Sequence, residues 1–520
     1  MAIPDTDVLI VGAGPTGMML AGELALAGID VAIVARRESQ ALAESRAGGQ
    51  HARSLEVLDQ RGIVDRFLAE GKIAQTAGFA GTTFDLNSFP TRHPYGLGLW
   101  QNHIERILAG WVRERKVPVH YGVTVKGFTQ DDAGVTVERE EGPPLRAKYL
   151  AGCDGGRSIV RKTAGIEFPG WDPTMSSLLA EVEMTEKPEL GIHRSRFGVY
   201  SFGKEKYEIR GGEIIFKDEG PTRLMVPEEH VGATAEPTLR DVSAALIAIC
   251  GTDYGVHSPT WITRFTDMTR QAAAYRKGRI LLAGDAAHIH APDGGQGLNT
   301  GVQDAVNLGW KLAQVVKGTS PESLLDTYHV ERHPVAARVL RNTMASVVLR
   351  RPDERIPALR DVMAELLGMD EPRKKFAAMM SGLDIRYDLG EGHPLLGRRM
   401  PDLDLDTAEG PLRMFMLLHG ARPVLINFAA PNSLDITPWA DRVQRIDARY
   451  DGAWELPALG FVTAPSAVLV RPDGYVAWVG DGTERARFGE LDDRLWHCRK
   501  IAFERVLFKE NQPGTGLPID

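Results

Sequence analysis

Apolar residues along the chain gather into dense runs, and two of these runs lead straight into glycine-rich turns. The first, Val8 to Val11, reaches Gly12, Gly14 and Gly17 and passes into a helical pattern at Met18, Leu20, Leu24 and Leu26. This predicts a strand, a tight turn and a helix. Gly12 permits the turn, Gly14 lets a pyrophosphate approach the backbone, and Gly17 allows the helix to pack closely on the strand. The helix N-terminus favours negative charge, so the element reads as a dinucleotide site.

A second strand pattern, Asp30 to Val34, should end about 20 residues past the glycines on an acid that binds ribose hydroxyls. Ala35 stands there instead, followed by Arg36 and Arg37. Losing that carboxylate removes a charge-assisted hydrogen bond of roughly 1.5–3 kcal/mol. Arginines at this point also suit a ribose 2′-phosphate, so the segment read alone leans toward NADP. In the alternative, Glu38 or a backbone carbonyl meets the ribose while an arginine stacks on adenine.

The other glycine-linked run, Ile280 to Ala283, ends at Gly284-Asp285, and Gly294, Gly295 and Gly297 precede a helical pattern at Val302, Val306, Gly309, Leu312 and Val316. Two helix N-termini could therefore address one extended ligand from opposite ends. Ser54 to Phe67 reads as helix. Val123–Val125 and Val135–Val137 flank the turn Asp131–Gly134 and predict an antiparallel hairpin, after which the chain returns at Tyr149–Asp154. Short strand-like runs follow at Leu178–Val182, Phe197–Phe202, Glu213–Phe216 and Thr222–Val226. Beyond His393–Gly397 the pattern shifts again, with strands at Pro423–Phe428 and Ala467–Val470 and a turn, Arg471–Gly474, leading to Tyr475–Val479.

A length of 520 residues allows two or three domains, and 43% apolar content with a net charge of −8 excludes a polyanion-binding face, so nucleic acid is not an expected partner. Cys153, Cys250 and Cys498 are widely spaced and form no CxxC pair, which argues against a disulfide framework or a metal site and fits a cytoplasmic protein. Met1–Asp7 is too short for a signal peptide, and no apolar run approaches the ~20 residues of a membrane span.

Taken together, VLIVGAGPTG at Val8–Gly17, GCDGGRS at Gly152–Ser158 and ILLAGDAAHIHAPDGGQGLNTG at Ile280–Gly301 resemble the single-component, FAD-dependent aromatic hydroxylases, the class A flavoprotein monooxygenases. The resemblance runs along essentially the whole chain and is closest to the branch acting on polyketide aromatics and rifamycin-type antibiotics. It implies an α/β protein: a Rossmann-type FAD-binding domain in two parts, residues 1–170 and 277–392, the second part with helices. Between them lies an inserted mixed β-sheet substrate domain, 171–276, and after them a thioredoxin-like C-terminal domain, 393–520. Without a CxxC that last domain cannot perform dithiol exchange, leaving stability or subunit packing, as in a homodimer.

By the same resemblance Gly12, Gly14, Pro15, Thr16 and Gly17 would hold the pyrophosphate, with Arg36 near the adenosine end. Asp285 would take the ribityl chain, and Pro292, Gly295, Gly297, Leu298 and Asn299 would border the flavin ring. Asp154 is linked to FAD and NADPH binding and is followed by Arg157 and Arg161, while Arg46 and Gln101 match positions that contact the flavin or its ribityl chain. Asp293 occupies a place where the family often has a small or aromatic residue. It could steer a proton, bond a substrate hydroxyl, or cap the next turn.

The implied reaction uses NADPH as a transient co-substrate and O₂, and passes through a flavin C4a-hydroperoxide that transfers one oxygen atom to a phenolic or polycyclic aromatic compound. A phenol of pKa about 10 is only ~0.1% ionised at pH 7, and lowering that value by three units takes about 4 kcal/mol, within reach of a buried cation or paired base. Arg46 and His51 beside the flavin and Arg194, Arg196, Arg210 and Arg223 on the inserted sheet are the cation candidates. The catalytic candidates are Arg46, His51 and Asp293, whereas His288 and His290 read as structural. Two other classes remain open on the residues: an NADP-binding reductase, and a flavin- or ligand-binding protein without turnover.

Overall fold

Val8, Leu9, Ile10, Ala32, Ile33 and Val34 are all essentially solvent-free, as expected for parallel strands covered on both faces. The computed structural model describes residues 5–480 except 42–46, 80–81, 196, 205, 211–212, 218, 233–234, 352 and 435. In its largest sheet the strands run Arg276–Lys277, Ile280–Leu282, Leu145–Gly152, Thr6–Val11, Val31–Val34, Val119–His120. All neighbours from Ile280–Leu282 to Val119–His120 are parallel, and the hairpin Val125–Gln130 and Val135–Arg139 adds antiparallel strands alongside Leu145–Gly152. Helices Pro15–Leu26 and Gln296–Val316 pack together beside this sheet. A Cβ at Gly309 would overlap Glu23, so this glycine lets the two helices approach, and one at Gly22 would overlap the indole of buried Trp111 on helix Gln101–Glu114, which packs on Pro15–Leu26 as well.

Between Leu145–Gly152 and Ile280–Leu282 the chain builds an antiparallel five-stranded sheet, ordered Gly191–Ser195, Gly198–Lys204, Thr222–Pro227, Ser176–Met184, Val256–Thr266. Helix Leu239–Cys250, opened by a reciprocal Thr238–Asp241 capping box and closed by left-handed Gly251, covers its apolar face. After Gln296–Val316 come helices Asp326–Val348, Ile356–Gly368 and Asp370–Ser381. A six-stranded sheet follows, ordered Gly410–Arg413, Asp404–Thr407, Gln444–Arg449, Val424–Asn427, Ala467–Val470, Val476–Gly480, with its own core.

Several expected elements shift. The helix expected over Ser54–Phe67 is two helices, Ala52–Asp59 and Val64–Leu68, because Gly62 between them takes φ +67°. The first hairpin strand begins at Val125, where the Val123–Val125 run ends, and Phe197–Phe202 is replaced by Gly198–Lys204. Strand Gly191–Ser195 was not expected, since as an edge strand with a polar, half-exposed sequence it carries no strong apolar alternation.

Candidate active site

The parallel strands Thr6–Val11, Leu145–Gly152 and Ile280–Leu282 all point their C-terminal ends at one crevice, where ligands of open α/β sheets bind. Gly12, at φ +111°, turns the chain so tightly against the neighbouring strand end that a Cβ there would overlap the Cys153 carbonyl. Gly14 is the N-cap of Pro15–Leu26, and nothing lies within 4 Å of where its Cβ would sit. That helix has no side-chain cap and no acid in its first turn, with Pro15 and Thr16 opening it. Thr16 is wedged between the two glycine segments: a Cβ at Gly284 or at Gly301 would strike its side chain. The two expected halves of one site are therefore in contact.

The second half has the same character. Gly294 and Gly295 are both left-handed, and Gly295 is the N-cap of Gln296–Val316, again without side-chain cap or first-turn acid. Asp285 is exposed at the crevice beside Gly297. Asn299 locks this loop to the segment before the second helix: its Oδ1 accepts the His51 backbone N–H at 2.8 Å, and its Nδ2 donates to the Gly295 carbonyl at 2.8 Å. Leu298 packs against the main core, and Pro292 is exposed.

His51 bonds the Gly294 carbonyl through Nε2 at 2.8 Å, and desolvation pushes its ring down to about 4. A carbonyl can only accept, so the neutral ring carries its proton on Nε2. His51 thus braces the Gly294 carbonyl, and its burial disfavours the positive charge the sequence allowed for. Arg46 and Arg196 lie outside the described residues, as does the side chain of Arg210. Arg223 is buried, paired with Glu181 at 2.8 Å and 4.0 Å from the Trp100 ring centroid, so it is no isolated cation.

The Asp154 carboxylate accepts from the Ser158 hydroxyl at 2.5 Å and from the Ile159 and Val160 amides, holding the turn into helix Ile159–Thr163; burial raises its pKa against these bonds. Arg161 then donates to the Ala286 carbonyl at 2.8 Å and stacks on Phe168, which ties this turn to the Gly284–Ala286 turn. Gln101 accepts from the Ala47 amide at 3.3 Å and donates to Glu105 at 2.9 Å. Arg37 pairs with the same Glu105 at 2.6 Å and also donates to the Ala13 carbonyl. Arg37 is therefore committed to bracing the glycine turn, which removes it from the expected 2′-phosphate pair; Arg36 is exposed next to it.

Sequence reading missed the groups beneath the crevice. Asp304 is completely buried and accepts from the Gly284 amide, from His288 Nε2 at 2.7 Å and from Arg332 at 2.7 Å. The sequence carried no signal of this, because Asp304 shares its helix face with the polar Thr300, Asn307 and Lys311. His288 is buried and its Nε2 is held by Asp304. Asp293 is not a turn cap: its Oδ1 pairs with Arg350 at 2.7 Å while burial raises its pKa.

These features fit FAD. Two uncapped helix N-termini, each worth about half a positive charge, open from glycine turns, with open space at Gly14. Buried Gln50 has neither amide atom bonded, and His290 Nε2 and Ser54 Oγ are buried without partners.

His51, His290 and His333 all sit near a pKa of about 4, desolvation being the first cause in each, against an ordinary 6.5. The unfolded chain binds more protons between these values, so stability is full above pH 6.5 and falls as pH drops toward 4. We expect the pH slope of the urea midpoints over this range to be reduced by about one proton in His51→Gln relative to wild type; an unchanged slope in that variant would refute the placement of His51.

Residues 5–343 match the FAD binding domain family and residues 393–497 the aromatic-ring hydroxylase C-terminal family. A rifampicin monooxygenase of Streptomyces venezuelae is 43% identical over 91% of this chain and 96% of its own. The 12-dehydrotetracycline 5-monooxygenase/anhydrotetracycline 6-monooxygenase of Streptomyces rimosus is 44% identical over 91% and 95%. Among solved structures, the OxyS anhydrotetracycline hydroxylase from Streptomyces rimosus superposes with a TM-score of 0.84 at 42% identity, covering 94% of this chain and 98% of that one. The fold and site thus define a mixed α/β flavoprotein. The chain belongs to the FAD-dependent aromatic-ring hydroxylase family and is an FAD-dependent aromatic monooxygenase. Among the described residues no helix is long and apolar enough to cross a membrane.

Proposed function

We propose that this protein uses NADPH and O₂ to insert one oxygen atom into a phenolic polyketide-type polycycle. The observation that carries the reading is Thr16, which opens helix Pro15–Leu26 and whose side chain lies against Gly284 at the end of strand Ile280–Leu282 and against Gly301 within Gln296–Val316. A diphosphate on the first turn and a ring on the second then belong to one molecule. When bound, reduced FAD activates O₂, delivering one oxygen atom to the substrate ring and the other to water.

The protein's part is to bind, orient and exclude water. Gly12 to Gly17 would hold the pyrophosphate, Asp285 the ribityl chain, and Pro292, Gly295, Gly297, Leu298 and Asn299 the ring. Arg36, Arg46, Gln101 and Asp154 would complete the cofactor contacts, and Arg46, His51 and Asp293 are the candidates to act on the substrate. In this reading residues 1–170 and 277–392 form a Rossmann-type FAD-binding domain, 171–276 the substrate sheet, and 393–520 a thioredoxin-like domain. The relatives' names point to large fused-ring substrates.

The purified protein should show the visible bands of oxidised flavin. With rifampicin or anhydrotetracycline as probes, it should oxidise NADPH faster and yield a product heavier by one oxygen. A colourless protein that saturates with NADPH would favour the reductase. Coloured protein with no stimulated oxidation on either probe or on a panel of phenols would favour the binder.

A further inference from the structure

His290 stands between the short strand His288–Ile289 and the flavin loop. Its Nδ1 lies 2.7 Å from the Ala291 carbonyl. A carbonyl can only accept, so Nδ1 carries the ring proton and Nε2 presents a lone pair. That lone pair is buried and receives no donor. Desolvation, the first cause, pushes the ring down to about 4, so at pH 7 the imidazole is neutral and Nε2 does not satisfy itself by taking up a second proton.

Gly297 shows where a donor enters. A Cβ on this residue would stand 3.8 Å from His290 Nε2 and 3.8 Å from Asp285 Oδ1, with nothing closer. The missing side chain leaves a gap of about one atom's width bordered by two acceptors, an imidazole nitrogen and a carboxylate oxygen. Such a gap suits an O–H group, because a carbonyl or phosphate oxygen would bring a third lone pair and no proton.

We propose that His290 is a cofactor-binding residue: its Nε2 accepts a hydroxyl of the FAD ribityl chain, beside the hydroxyl that Asp285 takes. The sequence alone read this histidine as structural. The inference rests on the ribityl placement at Asp285 proposed above, and it gives that chain a second, uncharged anchor between the ring and the pyrophosphate.

The test titrates flavin-free, full-length protein with FAD, with 3-methyl-FAD, which lacks the N–H of the oxidised ring, and with ADP, which has no ribityl chain. Asparagine reproduces Nδ1 and keeps the donor to Ala291, whereas glutamine places an acceptor near Nε2. His290→Asn should therefore weaken FAD and 3-methyl-FAD alike, by about five- to tenfold. Its ADP affinity should stay within about twofold of wild type and its apoprotein melting temperature within about two degrees. His290→Gln should hold FAD within about threefold of wild type. A histidine that serves only its bond to Ala291 gives the reverse order, asparagine tolerated and glutamine impaired, and that result overturns the proposal. So does a loss that ADP shares, a loss confined to FAD, which would put the donor on the ring, or a destabilised apoprotein without a selective loss of FAD. Asp285→Ala keeps the two readings apart. If that variant binds FAD like wild type, the ribityl placement itself fails; if it loses FAD while His290→Asn does not, the placement stands and only the role of His290 falls.

Discussion

Replacing Arg471 with methionine is expected to destabilise the protein by about 3–5 kcal/mol, the usual effect of stripping one partner from a buried ion pair. Arg471 donates twice to Glu331, each time at 2.8 Å, and to Asp473 at 3.0 Å. Glu331 also takes Lys311 at 2.9 Å and Asn307 at 2.6 Å. All four partners are buried. Burial alone would raise the Glu331 pKa, but Arg471 and Lys311 outweigh it and hold the carboxylate below its usual range. Without Arg471, two carboxylates would face a single ammonium that desolvation has already pushed down to about 8. A second arginine repeats the design: Arg61 pairs with buried Glu23 and donates to the Pro472 carbonyl at 2.8 Å. The turn Arg471–Gly474 thus fastens the last sheet to helices Pro15–Leu26 and Gln296–Val316, whose N-termini form the crevice. Urea unfolding of Arg471→Met should show the loss, and FAD should dissociate at lower denaturant than in the wild type. Arg471→Lys, with charge but no planar fork, should fall between. A variant within about 1 kcal/mol of wild type would mean that the network is dispensable for stability.

That network marks where sequence reading ended. Local order was legible wherever one short segment sets its own geometry: the glycines after Val11 and Ala283 announce both turns because the backbone there has few other options. Turn Asp131–Gly134 was legible for the same reason, Asp131 bonding the Ala133 and Gly134 amides within its own loop. Glu331 and Arg471, by contrast, stand 140 residues apart. Each looks like a solvated surface charge in its own stretch, and only the tertiary fold reveals their burial. The same holds for Asp304 with Arg332, and for Arg37, whose partner Glu105 lies 68 residues away. The arginine pair after Ala35 resembled a phosphate site precisely because composition cannot show that a guanidinium is already committed. Asp293 was visible as a departure from the family, but its partner Arg350 was not.

The two glycines of the first turn should separate fold from cofactor binding. At Gly12 an added methyl would meet the rigid carbonyl of Cys153, and φ of +111° disfavours any L side chain. Gly12→Ala should therefore pry strand Thr6–Val11 from Leu145–Gly152, costing on the order of 3 kcal/mol of stability and abolishing FAD retention. Gly14 has φ of −82° and open space around its Cβ position. Gly14→Ala should leave the apoprotein's melting temperature within a degree or two of wild type, because nothing in the protein is displaced. The methyl would instead occupy the approach that a pyrophosphate needs, so FAD affinity should fall about a hundredfold, close to 3 kcal/mol. Apoprotein melting and quenching of FAD fluorescence on titration measure the two effects independently. If Gly14→Ala bound FAD as tightly as wild type, the pyrophosphate would have to lie away from this helix N-terminus, and the site built on Thr16 and the paired glycine turns would lose its ligand.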